Sequence, residues 1–215
     1  GTSWSTSDVY DGIEAGLRAN DVEVVPYRLD EMIKTFGVLV KAGEEADALR
    51  TKNLDETRKL ILHFAGADLV TVALEQEVDA VVSVCGLLLG AKRPRVLARL
   101  GIPVACYGTE APYFIEDELA VAGAYTHWFT NERRSVEALG RETKSFYLPH
   151  AWNPERHRPG AVDPKKRCDA IFIGSGFAER QALFAGVDWD GIDHVRRGTH
   201  WQGDDGLRVV SAESH

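Results

Sequence analysis

Residues 79–110, DAVVSVCGLLLGAKRPRVLARLGIPVACYGTE, decide the fold. Two apolar runs in this stretch, Ala80–Val84 and Pro103–Tyr107, are too short for helices and rich in β-branched residues, which is typical of strands buried on both faces. The charged segment between them, Lys92–Leu100, has apolar residues at helical spacing and is followed by a glycine. The stretch therefore predicts a β-α-β unit, and such units build parallel sheets.

The rest of the chain alternates in the same way and predicts an α/β fold with a Rossmann-like, doubly wound parallel sheet. The predicted strands are Val22–Tyr27, Ala80–Val84, Pro103–Tyr107, His127–Thr130, Ser145–Leu148 and Asp169–Ile173. The predicted helices are one from about Asp8, then Asp30–Leu49, a helix capped by Asn53 that runs to about Gln76, Lys92–Leu100, Phe114–Ala122, Ser135–Leu139 and Ala178–Phe184. Because the chain opens on a loop and a helix, we expect the natural protein to have a first strand before Gly1.

A proline-rich, basic stretch separates two parts of the chain. We expect an N-terminal Rossmann-like domain at residues 1–150, a linker at 151–167 and the start of a second α/β domain at 168–215. Only about 40 residues follow the predicted strand Asp169–Ile173, too few to complete such a domain. We therefore expect the second domain to be truncated.

The composition is that of an ordinary globular protein. The 215 residues are 44% hydrophobic and carry a net charge of −8, which gives no global electrostatic case for binding nucleic acid or an anionic membrane. No run of ~18 apolar residues and no secretory signal pattern is present. The three cysteines have no CxxC spacing, which favours small buried residues in a reducing compartment. We expect a cytoplasmic protein without a transmembrane segment and without a nucleic-acid partner.

Two polar residues follow predicted strands at the edge where open parallel sheets bind ligands. Glu110 comes after the strand Pro103–Tyr107 and is a candidate general base or holder of a sugar hydroxyl. The alternative for Glu110 is a loop acid that faces solvent. His150 ends the last strand before the linker, where it either faces a cleft as a catalytic residue or is a structural residue at a hinge.

A second group of candidates follows the strand that ends at Thr130. Asn131, Glu132 and Arg133 offer hydrogen bonds and charge at the same sheet edge, so we treat them as candidate substrate-binding residues. The alternative is ordinary chemistry of a helix N-terminus, with Thr130 or Asn131 as the cap and Glu132 in the first turn. The sequence is compatible with both uses.

Two small-residue loops lie between a strand position and a helix. The backbone N–H groups of Gly1-Thr2-Ser3-Trp4 and of Gly174-Ser175-Gly176 could receive phosphate or hydroxyl groups, although neither loop is a complete GxGxxG or Walker motif. Arg180 could reach a diphosphate placed over the second loop. Alternatively, Arg180 is solvated or paired with Glu179 or Asp188. No HExxH motif, Cys/His cluster or GxSxG motif supports a metal site or a hydrolase.

Five phrases of the sequence resemble the CgeB-like glycosyltransferases, a bacterial group named after a spore maturation protein and built on the GT-B fold. They are Gly1-Thr2-Ser3-Trp4, VACYGTEAP at Val104–Pro112, FTNERRSV at Phe129–Val136, YLPHAWNPERHRP at Tyr147–Pro159 and DAIFIGSGFAERQALF at Asp169–Phe184. Together they extend over most of the chain to about Trp189. The last two phrases are the most specific.

The resemblance implies two Rossmann-like domains that face each other, the first for the acceptor and the second for a nucleotide-sugar. By position, Gly174, Ser175, Gly176 and Arg180 would match the start of the donor diphosphate site. Glu110 and the Gly1-Thr2-Ser3-Trp4 loop would line the acceptor side. The nucleotide-sugar would be a co-substrate, with no further cofactor, and the acceptor would be a glycan, a protein or a small molecule.

The sequence departs from this family after Ile192, where it no longer resembles a matching domain. The segment in which the GT-B fold places its nucleotide-ribose acid is missing. We therefore treat the chain as a fragment of a glycosyltransferase, and the activity of the fragment by itself stays open even if its parent is an enzyme. The alternatives are a non-catalytic sugar- or nucleotide-binding half of a GT-B protein and a GT-B-type epimerase. The sequence does not indicate the donor, the acceptor, the stereochemical outcome or the oligomeric state.

Overall fold

A computed structural model describes residues 7–154, 157–161, 163–164 and 167–201. The chain divides into two compact units, Gly1–Asn153 and Pro154–His215. The first unit contains helices α1 (Ser7–Arg18), α2 (Leu29–Glu45), α3 (Leu54–Glu75), α4 (Lys92–Arg99), α5 (Ile115–Ala122) and α6 (Val136–Leu139), a 3₁₀ turn (Arg133–Ser135), and strands β1 (Val81–Val84), β2 (Val104–Gly108), β3 (His127–Thr130) and β4 (Lys144–Tyr147). The second unit contains β5 (Ala170–Ile173), α7 (Ala178–Ala185) and β6 (His194–Arg197).

The four strands of the first unit form one parallel sheet in the order β1-β2-β3-β4. Cys106 of β2 pairs with Trp128 of β3, so their side chains lie on the same face of the sheet. Leu97 of α4, Ala122 of α5 and Leu139 of α6 are fully buried in one cluster with these two residues. The three crossover helices therefore pack on one face, and the predicted α/β fold with a parallel sheet is confirmed.

The opposite face of this sheet is only partly covered. It carries Tyr107, Phe129 and Phe146, and the last two rings stack at 5.6 Å. Phe146 is 47% exposed and Val82 of β1 is 46% exposed. The expectation that β1 is buried on both faces is wrong, because β1 lies at the edge of the sheet. Of the two strands predicted from residues 79–110, β2 is the well-buried one.

Val22–Tyr27 is not a strand, contrary to the prediction. It is an irregular segment that is held to its neighbours in the first unit by side-chain hydrogen bonds rather than by pairing with a strand. The Arg18 guanidinium donates to the carbonyl of Val24 at 2.9 Å, and the Tyr27 hydroxyl donates to Asp68 of α3 at 2.9 Å. A β-branched run becomes a strand only beside another strand, and here the neighbouring surface is a helix.

The N-terminus of α3 follows the predicted capping pattern. Asn53 Oδ1 accepts from the backbone N–H of Glu56 at 3.0 Å, and the Glu56 carboxylate accepts from the backbone N–H of Lys52 at 2.8 Å. The preceding helix, α2, is continuous through Gly37 and Gly43.

The second unit pairs β5 with β6 in parallel. The sequence did not indicate β6, because its inward residue is Arg196 rather than an apolar one. The Arg196 guanidinium is buried 4.7 Å from the ring of Trp201 and 5.6 Å from that of Phe184. On the other face, Ile171 and Ile173 are 56% and 75% exposed, so the described residues cover only one side of this two-stranded sheet.

Candidate functional site

The loops that follow the four parallel strands meet at one edge of the sheet. Cys85 follows β1, Glu110 follows β2, Asn131 follows β3 and His150 follows β4. This carboxyl edge is where open parallel sheets place their ligands. We therefore take it as the candidate functional site of the first unit.

Glu110 is a partly buried carboxylate held by neutral donors. Its Oε1 accepts from the Thr109 hydroxyl at 3.3 Å and from the Cys85 thiol at 3.5 Å. None of the ion pairs among the described residues involves Glu110. The carboxylate is therefore oriented without a neighbouring cation to neutralise it, which suits a group that accepts a proton or binds a hydroxyl.

The Cys85 thiol is a hydrogen-bond donor in this arrangement. Burial, together with the nearby charge of Glu110, raises the pKa of Cys85 to about 11, so the thiol stays protonated at neutral pH. The backbone of Cys85 has φ +70°, a left-handed conformation that non-glycine residues rarely adopt. Cys85 is therefore poorly suited to act as a thiolate nucleophile. Its contact with Glu110 is a polar role that the sequence did not indicate.

Glu118 of α5 is fully buried beneath the Glu110 loop. Its Oε1 accepts from the backbone N–H of Glu110 at 3.1 Å, while its Oε2 has no partner among the described residues. Burial raises the pKa of this carboxyl group above its ordinary value. The indole N–H of Trp128 is also buried without a partner in the described part of the chain.

The side chains of Glu118 and Trp128 both approach Gly108 closely, in space that a side chain at position 108 would occupy. A Cβ at this position would lie 2.6 Å from Trp128 Nε1 and 2.7 Å from Glu118 Oε1. Only glycine therefore allows both side chains to cross the end of β2. The arrangement fixes the loop that carries Glu110, because Glu118 holds its backbone from below.

His150 forms hydrogen bonds through both ring nitrogens. Its Nδ1 lies 3.2 Å from the Tyr107 hydroxyl, and its Nε2 lies 2.9 Å from Asn131 Nδ2. Because the amide nitrogen of Asn131 is a donor, His150 Nε2 accepts its hydrogen bond. His150 Nδ1 then carries the proton of the neutral imidazole. Asn131 Oδ1 is buried and has no partner among the described residues. A half-turn of the amide would present this oxygen to a protonated His150.

The other two residues after β3 have local roles. The Glu132 carboxylate accepts from the backbone N–H two residues further on, at 2.9 Å, so Glu132 itself caps the 3₁₀ turn. The expectation that Thr130 or Asn131 provides the cap is wrong, because Thr130 is buried and its hydroxyl accepts from the Glu132 N–H at 3.2 Å. Arg133 lies 4.3 Å above the ring of Tyr147. Of the three predicted substrate-binding residues, Asn131 is the one that joins His150.

The Gly174–Gly176 loop of the second unit uses several of its polar groups internally. The Gly176 N–H donates to the carbonyl of Thr199 at 2.8 Å, and the Phe177 N–H donates to the carbonyl of Ser175 at 3.0 Å. The Ser175 hydroxyl lies 3.1 Å from that of Thr199. A diphosphate that bound to these N–H groups would have to displace the contacts with the segment after β6.

Arg180 is attached to the same loop. Its Nη1 donates to the carbonyl of Ser175 at 2.9 Å, and its guanidinium lies 5.2 Å and 5.6 Å from the ring centroids of Phe177 and Phe172. The structure thus brings Arg180 and the predicted loop together. Neither alternative, a solvated side chain or an ion pair with Glu179 or Asp188, describes these contacts.

One predicted element, Gly1-Thr2-Ser3-Trp4, lies outside the described residues. Within the described ranges, no three His, Cys, Asp or Glu side chains converge on a point where they could hold a metal ion. No helix in this part of the chain is both long enough and apolar enough to cross a membrane.

Besides the polar role of Cys85, the sequence did not indicate the roles of two further residues of the carboxyl edge, Tyr107 and Glu118. Tyr107 was interpreted only as part of a buried strand. Glu118 follows Glu116 and Asp117 in the first turn of α5, and such an acidic run is typical of an exposed helix N-terminus. The burial of Glu118 could have been inferred from its position along α5, because the residues of a helix that pack on a sheet recur every three to four positions.

No protein-family model, no curated protein and no solved structure matches this chain. The resemblance to the CgeB-like glycosyltransferases therefore stays a prediction.

Proposed function

We propose that this chain is part of a glycosyltransferase that transfers a sugar from a nucleotide-sugar to an acceptor. The observation that supports the proposal best is the group of polar side chains at the carboxyl edge, where Glu110 follows β2 and His150 bonds to Asn131 and Tyr107. In this proposal the enzyme has the GT-B layout of the CgeB-like group, with a doubly wound sheet in the first unit. The second unit begins the nucleotide-sugar domain.

Glu110 is the proposed general base. It takes the proton of an acceptor hydroxyl while the acceptor oxygen forms a bond to the anomeric carbon of the sugar. The bond from that carbon to the diphosphate oxygen breaks, and the nucleoside diphosphate leaves with the electron pair. The Thr109 and Cys85 donors orient the carboxylate, and Glu118 holds the loop.

His150 is the proposed second catalytic group. In its neutral form it accepts a hydrogen bond at Nε2 from Asn131 and donates one from Nδ1 to Tyr107. A reacting hydroxyl that replaced the Asn131 amide would meet an oriented imidazole nitrogen. The ring is exposed to solvent, so a ligand can reach it.

The Gly174–Gly176 loop and Arg180 are the proposed start of the donor site. The loop precedes α7, which begins without a side-chain cap at Phe177, so its first turn presents backbone N–H groups and the positive end of the helix. Arg180 already lies beside the loop. The Arg180 guanidinium could donate to a diphosphate oxygen in place of the Ser175 carbonyl to which it now donates.

The internal contacts of this loop favour a second candidate, a non-catalytic binding module. The N–H groups of Gly176 and Phe177 already donate within the second unit. A loop that keeps those contacts would bind a nucleotide diphosphate poorly. In that case the carboxyl edge of the first unit would bind a sugar without transferring it.

The two candidates differ in turnover. The whole enzyme, of which we propose that this chain is a part, is incubated with a panel of nucleotide-sugars, with and without glycan, peptide and small-molecule acceptors, and released nucleoside diphosphate is measured. Release that requires an acceptor supports transfer. Calorimetric binding of a sugar ligand without release supports the module. The absence of both contradicts both candidates.

A further inference from the structure

An open cavity of about 680 Å³ lies between α3 and the loop that joins β1 to α4. Its apolar lining is almost entirely leucine: Leu60, Leu62, Leu87, Leu88 and Leu89. All five side chains are only partly buried. The volume lies within the ~300–1,000 Å³ that is usual for small-molecule sites.

Three consecutive leucines on a loop are an unusual lining for an open cavity. Leu87–Leu89 occupy the turn between β1 and α4, where polar residues normally face water. The part of this apolar run that stays accessible to water is unfavourable unless a ligand or a partner covers it. The lining is therefore suited to an alkyl chain.

The rim of the cavity is cationic. Lys59, His63, Lys92 and Arg93 line it together with a single acid, Glu56, whose carboxylate is used in capping α3. Lys59 pairs with a neighbouring acid of α3. The Arg93 guanidinium lies 3.0 Å from His63 Nδ1 and donates to the carbonyl of His63 at 2.9 Å, which joins the two walls.

The charges at the start of α4 are opposite to those that favour a helix. Lys92 and Arg93 occupy its first turn, no acid is present there, and Ala91 provides no side-chain cap. Cations are unfavourable at this end because of the helix dipole. The positive potential beside the leucines therefore complements an anion.

We propose that this cavity binds a single-chain amphiphile with a phosphate headgroup. The alkyl chain lies against the leucines, and the phosphate contacts Lys92 and Arg93. A phosphate oxygen can also accept a hydrogen bond from His63. The ligand is a monomeric molecule rather than a membrane surface, because the leucines line a concave cavity.

The cavity is adjacent to the carboxyl edge of the sheet. The Leu87 N–H donates to the carbonyl of Cys85 at 2.8 Å, and the Cys85 thiol contacts Glu110. The further step of naming this ligand as the sugar acceptor rests on the proposed glycosyl transfer. The binding itself does not, so a test without any sugar donor separates the two.

The test is calorimetric titration with dodecyl phosphate below its critical micelle concentration. Inorganic phosphate and the neutral amphiphile dodecyl maltoside are the comparison ligands. We expect dodecyl phosphate to bind at least about tenfold more tightly than either, because only this ligand uses both the leucines and the cations. Lys92→Glu and Leu88→Ser should each weaken its binding by about tenfold or more. Arg99→Glu, at the other end of α4, is the matched control and should change Kd by less than about twofold.

Several results would overturn the proposal. Equal affinity for inorganic phosphate would mean that the cations bind an ion only, and equal affinity for dodecyl maltoside would mean that charge is irrelevant. Unchanged binding by a folded Lys92→Glu or Leu88→Ser variant, checked by circular dichroism, would place the ligand elsewhere. The proposal would also be contradicted if the protein did not bind monomeric dodecyl phosphate, or if it bound only to vesicles that contain dodecyl phosphate.

Discussion

Glu118 offers a test of the energetic account of the carboxyl edge. Replacing it by glutamine keeps an oxygen that can accept from the Glu110 backbone N–H, which the carboxylate does at 3.1 Å. The change removes the charge that burial disfavours. A buried polar atom without a partner costs ~1–3 kcal/mol, and Glu118 Oε2 is such an atom among the described residues.

The sign of the pH effect follows from the direction of the pKa shift. Because burial raises the pKa of Glu118 in the folded protein, its contribution to stability is fully present below the ordinary carboxyl pKa. That contribution is lost as the pH rises from the ordinary pKa through the raised one. The free energy of unfolding of Glu118→Gln, minus that of the unmodified chain, should therefore increase with pH. The increase should occur between roughly pH 4 and pH 8, because the unfolded chain ionises this carboxyl group at a lower pH than the folded protein does.

Urea unfolding at several pH values, followed by circular dichroism, measures this difference. Glu116→Gln is the matched control, because Glu116 lies in the same turn of α5 and is exposed. Its difference from the unmodified chain should stay nearly constant with pH. A constant difference for Glu118→Gln as well would refute the argument that burial disfavours the charge of Glu118.

Three further predictions concern single contacts. Gly108→Ala should lower stability by ~1–3 kcal/mol in thermal unfolding, because its Cβ would lie 2.6 Å from Trp128 Nε1; an unchanged melting temperature would contradict the packing described. Asn53→Ala should lower stability by about 1 kcal/mol in urea unfolding through loss of the α3 cap, whereas no loss would mean that the cap is energetically neutral. In the whole enzyme, of which we propose that this chain is a part, Arg180→Ala should weaken nucleotide-diphosphate binding by about tenfold or more in calorimetry, and Arg180→Lys should recover only part of it. Equal binding by the alanine variant would make the Gly174–Gly176 loop only a packing turn.

Local pattern was sufficient to predict most of the sheet. The runs that became β1 and β2 are short and apolar, the run that became β3 is short and aromatic, and the segment that became α4 has helical spacing. Asn53 and Glu56 form the expected hydrogen bonds at the start of α3. In each of these places the local preference and the tertiary structure agree, which is why the sequence is informative there.

The features that the sequence predicted wrongly or did not indicate all depend on residues that are distant in the sequence. Val22–Tyr27 has strand composition, yet a strand needs a neighbour, and this segment lies against α3 instead. The sequence did not indicate β6, because the buried residue of this strand is Arg196, which is stabilised by aromatic rings of Phe184 and Trp201. The burial of Glu118 depends on the side of α5 that meets the sheet. At the carboxyl edge, strand ends predicted the positions of Glu110 and His150 but not the side chains that hold them.

The proposed role of Glu110 is tested by the rate of nucleoside diphosphate release from a Glu110→Gln variant of the whole enzyme, of which we propose that this chain is a part. If Glu110 is the general base, its loss should lower acceptor-dependent release by about a hundredfold or more, the usual contribution of such a group. Glu116→Gln, the exposed control on α5, should leave the rate unchanged. Equal rates for Glu110→Gln and the unmodified protein would show that the carboxyl edge of the sheet does not perform the chemistry proposed for it.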